Sequence, residues 1–123
     1  MNKIILHIED DFDTRELVKT LLEREGHNVL SASEGREGLR KIIEKKTDLV
    51  ILDIMLPDMS GWDIYQRLKE LSYKGKIVFL TIMSASNGDV AKLRDEGVSD
   101  YIQKPFENKD FLNRINCLLC EHA

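Results

Sequence analysis

Residues 48–61 read DLVILDIMLPDMSG. Four apolar residues, Leu49 to Leu52, run straight into Asp53. Because successive side chains of a strand point to opposite faces, an unbroken apolar run predicts a strand buried on both sides. That is the pattern of a central strand in a parallel sheet with helices on each face. The carboxylate at its end is the puzzle. Left alone in such a place it costs several kcal/mol or takes up a proton. Asp53 is therefore either a turn residue or a reactive one.

Outward from this segment the chain alternates. Residues 3–8 (KIILHI) form a first apolar run rich in Ile and read as a strand. Asp13 then offers an N-cap with Glu16 three residues on. Leu17, Val18, Leu21 and Leu22 follow at helical spacing, and Gly26 supplies the stop. Residues 27–32 are a short second strand. Ser33 is placed to cap a second helix striped with Leu39, Ile42 and Ile43. After the loop LPDMSG, Ile64, Leu68 and Leu71 mark a third helix. Residues 76–81 (KIVFLT) are strand four, 86–97 a short polar helix stopped by Gly97, and 100–103 (DYIQ) a brief fifth strand. Beyond Pro105, Asn108 is placed to cap a last helix carrying Phe111, Leu112, Ile115, Leu118 and Leu119.

Five strand–helix units joined by short connections predict an α/β fold, a doubly wound parallel sheet with right-handed crossovers and helices on both faces. No linker, repeat or low-complexity segment interrupts them, so residues 1–123 read as one domain. Apolar residues are 42% and charged residues 33% of the chain, a balance that builds an ordinary globular core. A net charge of −4 argues against direct contact with nucleic acid, which needs a Lys/Arg excess. No apolar run approaches the roughly 20 residues of a membrane span, and MNKIILHIEDD is no signal peptide; a cytoplasmic chain is expected. Cys117 and Cys120 form a C-x-x-C with only His122 close by. Without a second such pair they read as ordinary helix residues.

In sheets of this kind chemistry gathers at the carboxyl ends of the strands, where strand order reverses. Glu9, Asp10 and Asp11 follow strand one, Asp53 ends strand three (48–53), Thr81 ends strand four, and Lys104 follows strand five. Taken singly, each suits a helix cap or a solvated loop. Together they suggest more. If strands one and three are neighbours, Glu9, Asp10 and Asp53 crowd at one point and raise one another's pKa. A divalent cation relieves this, and an all-oxygen donor set suits Mg²⁺. Mg²⁺, a Lys ammonium and a hydroxyl around a carboxylate are the parts that steady a phosphoryl group, and the carboxylate itself can be the nucleophile.

IEDD after strand one, LDIMLPDMSG around strand three, FLT at strand four and YIQKPF after strand five resemble, in that order and spacing, the receiver domain of two-component response regulators, including its chemotaxis-regulator-like members. The resemblance covers essentially the whole chain. It implies a flavodoxin-like sheet of order 2-1-3-4-5 with five helices. It also implies Asp53 as phosphoacceptor, Glu9 and Asp10 as the acidic pair holding Mg²⁺ with Asp53 and the Met55 backbone carbonyl, and Lys104 as the partner of the phosphoryl oxygens, followed by a cis bond to Pro105. Thr81 and Tyr101 match the switch residues. Ser84, in the segment MSA, competes with Thr81; because KIVFLT is a complete strand by itself, Thr81 is preferred. Ile82 and Met83 are bulkier than the small residue the family usually places there.

The function implied is a phosphorylation switch. A sensor histidine kinase or phosphotransfer protein would supply the phosphoryl group, and the face built from helix four, strand five and helix five would change. Receivers of this family often dimerise through that face. Self-catalysed phosphoryl transfer and autodephosphorylation are the only enzymatic steps implied. The alternative is a pseudo-receiver, a binding module without phosphorylation; the presence of Glu9, Asp10, Asp53 and Lys104 together argues against it. An aspartyl-phosphate phosphatase would need a D-x-D nucleophile motif, and Met55 stands at its second acid. A flavodoxin would need a Ser/Thr/Gly-rich phosphate loop after strand one, where three acids stand instead. No output domain follows residue 123, so the chain is read as a stand-alone regulator or a fragment of a longer one.

Overall fold

In a computed structural model the described residues are 2–120. Five parallel strands, β1 (Ile4–Ile8), β2 (Asn28–Ala32), β3 (Leu49–Leu52), β4 (Lys76–Thr81) and β5 (Asp100–Gln103), form one sheet in the order β2-β1-β3-β4-β5. Between and after them run α1 (Phe12–Arg24), α2 (Gly35–Glu44), α3 (Gly61–Glu70), α4 (Asn87–Asp95) and α5 (Asn108–Cys120). This is the expected doubly wound, flavodoxin-like architecture, and β1 lies beside β3 with Ile8 opposite Leu52. The β1/β3 boundary is where strand order reverses, so the residues just after both strands meet there.

The sheet separates two apolar layers. On one face Leu6, Ile8, Val50 and Leu52 pack with Ile64 and Leu68 of α3, and with Leu39 and Ile42 of α2. On the other, Ile5, Leu49 and Ile51 pack with Val18 and Leu22 of α1 and Phe111 and Ile115 of α5. β3 is the best buried strand: all four residues are fully inaccessible. Each such side chain contributes about 1.5–3 kcal/mol of burial free energy before entropy is counted. That rigid apolar stem fixes where Asp53 emerges.

Several helix ends differ from the sequence expectation. Asp11, not Asp13, caps α1, its carboxylate accepting from the Thr14 amide at 2.9 Å and the Thr14 hydroxyl at 2.7 Å. The loop after β1 is so short that Asp13 already lies inside the first turn. Ser33 does not cap α2. Asp58 does so from the β3–α3 loop, its two oxygens accepting from the Gly35 and Arg36 amides at 2.7 and 2.9 Å. Asn108 is the first residue of α5, not the residue preceding it. Gly26 and Gly97 do end α1 and α4, at φ +91° and +113°, in the left-handed region that glycine enters without strain.

Leu17, Ile43 and Leu71, all placed on apolar stripes, are exposed. Leu17 and Ile43 lie at the edge of their helices' buried arcs, and Leu71 is the C-cap of α3. Cys117 and Cys120 are free and exposed on α5, as ordinary helix residues; His122 lies outside the described residues. No helix among the described residues is long and apolar enough to cross a membrane.

Candidate functional site

Asp53 leaves the sheet one residue after β3. Its amide donates to the Ile8 carbonyl at 3.1 Å, and its Oδ1 accepts from the Met55 amide at 3.2 Å. The side chain is almost wholly buried. Glu9, one residue after β1, is tied to β2 by an amide bond to the Ala32 carbonyl at 2.9 Å and is fully buried. Asp10, next in the chain, faces solvent. The chain can return past Asp53 only because residue 61 is glycine. The Gly61 amide donates to the Ile54 carbonyl at 2.8 Å, and a Cβ there would strike the Asp53 carbonyl and sit 2.8 Å from the Ile54 Cα. Ser60 and Asp63 then close a reciprocal capping box at the start of α3.

Glu9, Asp10 and Asp53 each offer an oxygen within 4.8 Å of the others. Lys104 bridges the two buried ones, its Nζ donating to Glu9 Oε1 at 2.8 Å and to Asp53 Oδ2 at 3.2 Å. The bond from Lys104 to Pro105 is cis. Burial pushes the Glu9 carboxyl up to about 7; the Lys104 hydrogen bond opposes this, and the Asp53 charge adds to it. For Lys104 burial pulls downward, but the Glu9 and Asp53 carboxylates outweigh it and raise its pKa. The two shifts describe one situation: two buried carboxylates share a single ammonium. Such a set is short of positive charge, and its donors are all hard oxygens. That donor chemistry fits Mg²⁺.

Thr81 ends β4 fully buried, and its hydroxyl oxygen accepts from the Met83 amide at 3.3 Å. Its carbonyl accepts from the Lys104 amide at 2.8 Å, which ties the end of β4 to the lysine loop. Ser84 is exposed in the β4–α4 loop. Tyr101, matched to a switch residue, is packed inward. Its ring lies 6.1 Å from that of Phe79, and its hydroxyl donates to the Met83 carbonyl at 2.6 Å. Trp62, on the first turn of α3, lies tilted against Phe79 with ring centroids 4.7 Å apart and remains part-exposed.

Three residues at or near this site were not assigned to it from the sequence. Arg15 reaches back from the first turn of α1 to donate to the carbonyls of Glu9 and Asp10 at 2.9 and 3.2 Å, fixing the acidic loop; a basic residue in the first turn of a helix after an acid cluster was the available signal. Asp58 couples the β3–α3 loop to α2 across a separation of more than twenty residues, for which no local signal exists. His7, inside the apolar run of β1, lies with Nε2 4.0 Å from Glu9 Oε1.

A parallel 2-1-3-4-5 sheet with this acid-and-lysine cluster at its switch point is the flavodoxin-like fold of signalling receivers. The response regulator receiver domain family matches residues 5–116, and the chain belongs to that family. It is the receiver domain of a two-component response regulator. Among its relatives, the transcriptional regulatory protein DltR of Streptococcus agalactiae is 40% identical over 111 residues, covering 90% of this chain and 49% of the relative. The chain spans about half the length of the curated relatives it matches. Of solved structures, a CheY-like receiver domain protein from Methanospirillum hungatei superposes with a TM-score of 0.86 at 33% identity, covering 97% of this chain and 94% of that one. The response regulator TrrA of Thermotoga maritima, in complex with Mg(2+)-BeF, gives a TM-score of 0.82 at 31% identity, covering 94% and 98%.

Proposed function

We propose that Asp53 is the phosphoacceptor of a Mg²⁺-dependent switch, and that residues 1–123 act as a single receiver domain. The observation that carries this reading is the bridge of Lys104 between two buried carboxylates, Glu9 and Asp53, at the β1/β3 switch point. A sensor histidine kinase or phosphotransfer protein presents a phosphohistidine. An Asp53 carboxylate oxygen attacks the phosphorus in line; one P–O bond forms, the P–N bond breaks, and the imidazole leaves with its electron pair. Glu9, Asp10, Asp53 and the Met55 carbonyl would hold Mg²⁺, which when bound offsets charge on the phosphoryl oxygens. The complex of the related TrrA with Mg(2+)-BeF supports this ligand class. Lys104 pairs with a phosphoryl oxygen, exchanging a carboxylate contact for a phosphate one.

Phosphorylation adds about −1.5 to −2 charge, which the Thr81 hydroxyl meets by turning from the Met83 amide toward the phosphoryl group. The Tyr101 hydroxyl on β5 is bonded to the Met83 carbonyl of the β4–α4 loop, so this movement changes the surface formed by α4, β5 and α5, a shift between two populated states. That surface is also where a second copy of the chain, or a downstream protein, would read the signal. Phosphotransfer from a labelled kinase tests the assignment: wild type acquires the alkali-labile label of an acyl phosphate, and Asp53→Asn loses it by more than about a hundredfold. Continued labelling of Asp53→Asn at the normal rate would remove Asp53 from the role, and absence of label in wild type would leave a binding-only receiver.

A further inference from the structure

His7 sits in the middle of β1 with 1% of its surface exposed, and neither ring nitrogen has a hydrogen-bond partner. Directly opposite it in the β1–β2 register stands Ser31, whose buried Oγ is also without a partner. On its other side the His7 Nε2 lies 4.0 Å from Glu9 Oε1. Burial, with Lys104 nearby, drives the His7 pKa down to about 3, so the ring is neutral and carries one N–H and one lone pair. A polar side chain in a strand otherwise built of Ile and Leu is costly to keep unpaired. Here a hydroxyl faces an imidazole across the β1–β2 register, and a carboxylate oxygen lies 4.0 Å from that imidazole.

In the present arrangement Glu9 Oε1 is held toward Lys104 at 2.8 Å, and His7 Nε2 stands off at 4.0 Å. On the reading above, Lys104 gives up that oxygen when it turns to the phosphoryl group on Asp53. Nε2 then needs to approach Oε1 by only about 1 Å to reach hydrogen-bonding distance. We infer that Ser31, His7 and Glu9 form a hydrogen-bond relay, Oγ–H to Nδ1 and Nε2–H to Oε1, that orients the Glu9 carboxylate toward the metal once Lys104 is drawn away. His7 is in this sense a positioning residue. Its part parallels that of the outer-shell groups that hold metal-binding carboxylates elsewhere. The inference rests on the proposed Mg²⁺-dependent role of Glu9 and Asp53.

The test uses the whole chain with Mg²⁺ and beryllofluoride as probes. In ¹⁵N-labelled wild type, long-range histidine spectra are expected to show the Nε2–H form, with its proton and Nδ1 resonances moving when both probes are added. Mg²⁺ affinity, read in the presence of beryllofluoride from Trp62 fluorescence, is expected to fall about tenfold in His7→Phe, which keeps a ring but no nitrogen, and less in Ser31→Ala. Unmoved His7 resonances together with an affinity within twofold of wild type in both variants would overturn the relay. If His7→Phe fails to fold, the wild-type spectra and Ser31→Ala decide. A wild type that answers neither probe and takes no label on Asp53 would instead bring down the phosphoacceptor reading, and the relay with it.

Discussion

At the amino edge of the sheet, Asp48 Oδ2 accepts from the Ile4 amide at 2.8 Å, and the hydroxyls of Thr47 and Tyr73 bond each other at 2.8 Å. The Tyr73 hydroxyl also donates to the Thr47 carbonyl at 3.3 Å, and the Ser99 hydroxyl accepts from the Ile77 amide. At the carboxyl edge, Glu9 and Asp53 share one ammonium, and neither ring nitrogen of His7 has a hydrogen-bond partner. The same strands thus end in a closed set of hydrogen bonds at one edge and an open one at the other. Where every donor meets an acceptor, the only gain is stability. Where charges are crowded and partners are shared, the arrangement is poised to take a ligand, and the local cost is borne by the packed sheet beneath.

The contrast can be broken most directly at Lys104. Replacing it with Met leaves Glu9 and Asp53 buried beside each other without a cation. We expect Lys104→Met to lose about 3 kcal/mol in urea unfolding at pH 8 without Mg²⁺. Most of this should return at pH 5, where the raised pKa of Glu9 lets it take up a proton, or on adding Mg²⁺. Unchanged stability at pH 8 would mean that the carboxyl edge carries no electrostatic load. Tyr73→Phe is the corresponding cut at the amino edge. It leaves the buried Thr47 hydroxyl without its partner and should cost about 1–2 kcal/mol at neutral pH. Phosphotransfer to Asp53 should proceed at the wild-type rate, because nothing at this edge reaches the site. A slowed transfer would join two edges that the structure keeps apart.

The sequence carried the carboxyl edge further than the amino edge for a physical reason. Glu9, Asp10, Asp53, Thr81 and Lys104 each directly follow or end a strand, and apolar runs locate strand ends well. Once strands one and three are neighbours, their meeting is a matter of topology. β4 and β5 coincide with the expected residues 76–81 and 100–103, and the other three strands are shorter by one or two residues at their ends. What stayed hidden depends on contacts between distant segments. Asp58 caps α2 from another loop, so Ser33, a good local candidate, is bypassed. His7 read as one more member of a strand, because whether its nitrogens find partners is decided by Ser31 and Glu9 in three dimensions. The inward packing of Tyr101 depends on the Met83 carbonyl, which no pattern in DYIQ reveals.

The finest separation of the two edges is by pH. Glu9 has a folded pKa of about 7, raised from 4.5 mainly by burial. For an acid with a raised folded pKa, the folded state holds its proton longer than the unfolded one. Its stabilising contribution is complete below about pH 4.5 and is lost as pH rises through 7. His7, lowered to about 3, has the opposite sign: its contribution is complete above 6.5 and is lost as pH falls toward 3. The two therefore offset each other between pH 4.5 and 6.5, and wild type alone can look flat. Subtracting Glu9→Gln isolates the acid. The stability of wild type minus that of Glu9→Gln, without Mg²⁺, should fall by on the order of 3 kcal/mol as pH rises from 4.5 through 7, and level off above that. Tyr73, raised to about 12 chiefly by burial, has the same sign as Glu9, but its contribution is lost only between pH 10 and 12. The Tyr73 contribution is thus silent over the range in which Glu9 titrates. A level difference between pH 4.5 and 7 would mean that Lys104 alone neutralises Glu9, and the two edges would then differ in composition but not in electrostatic tension.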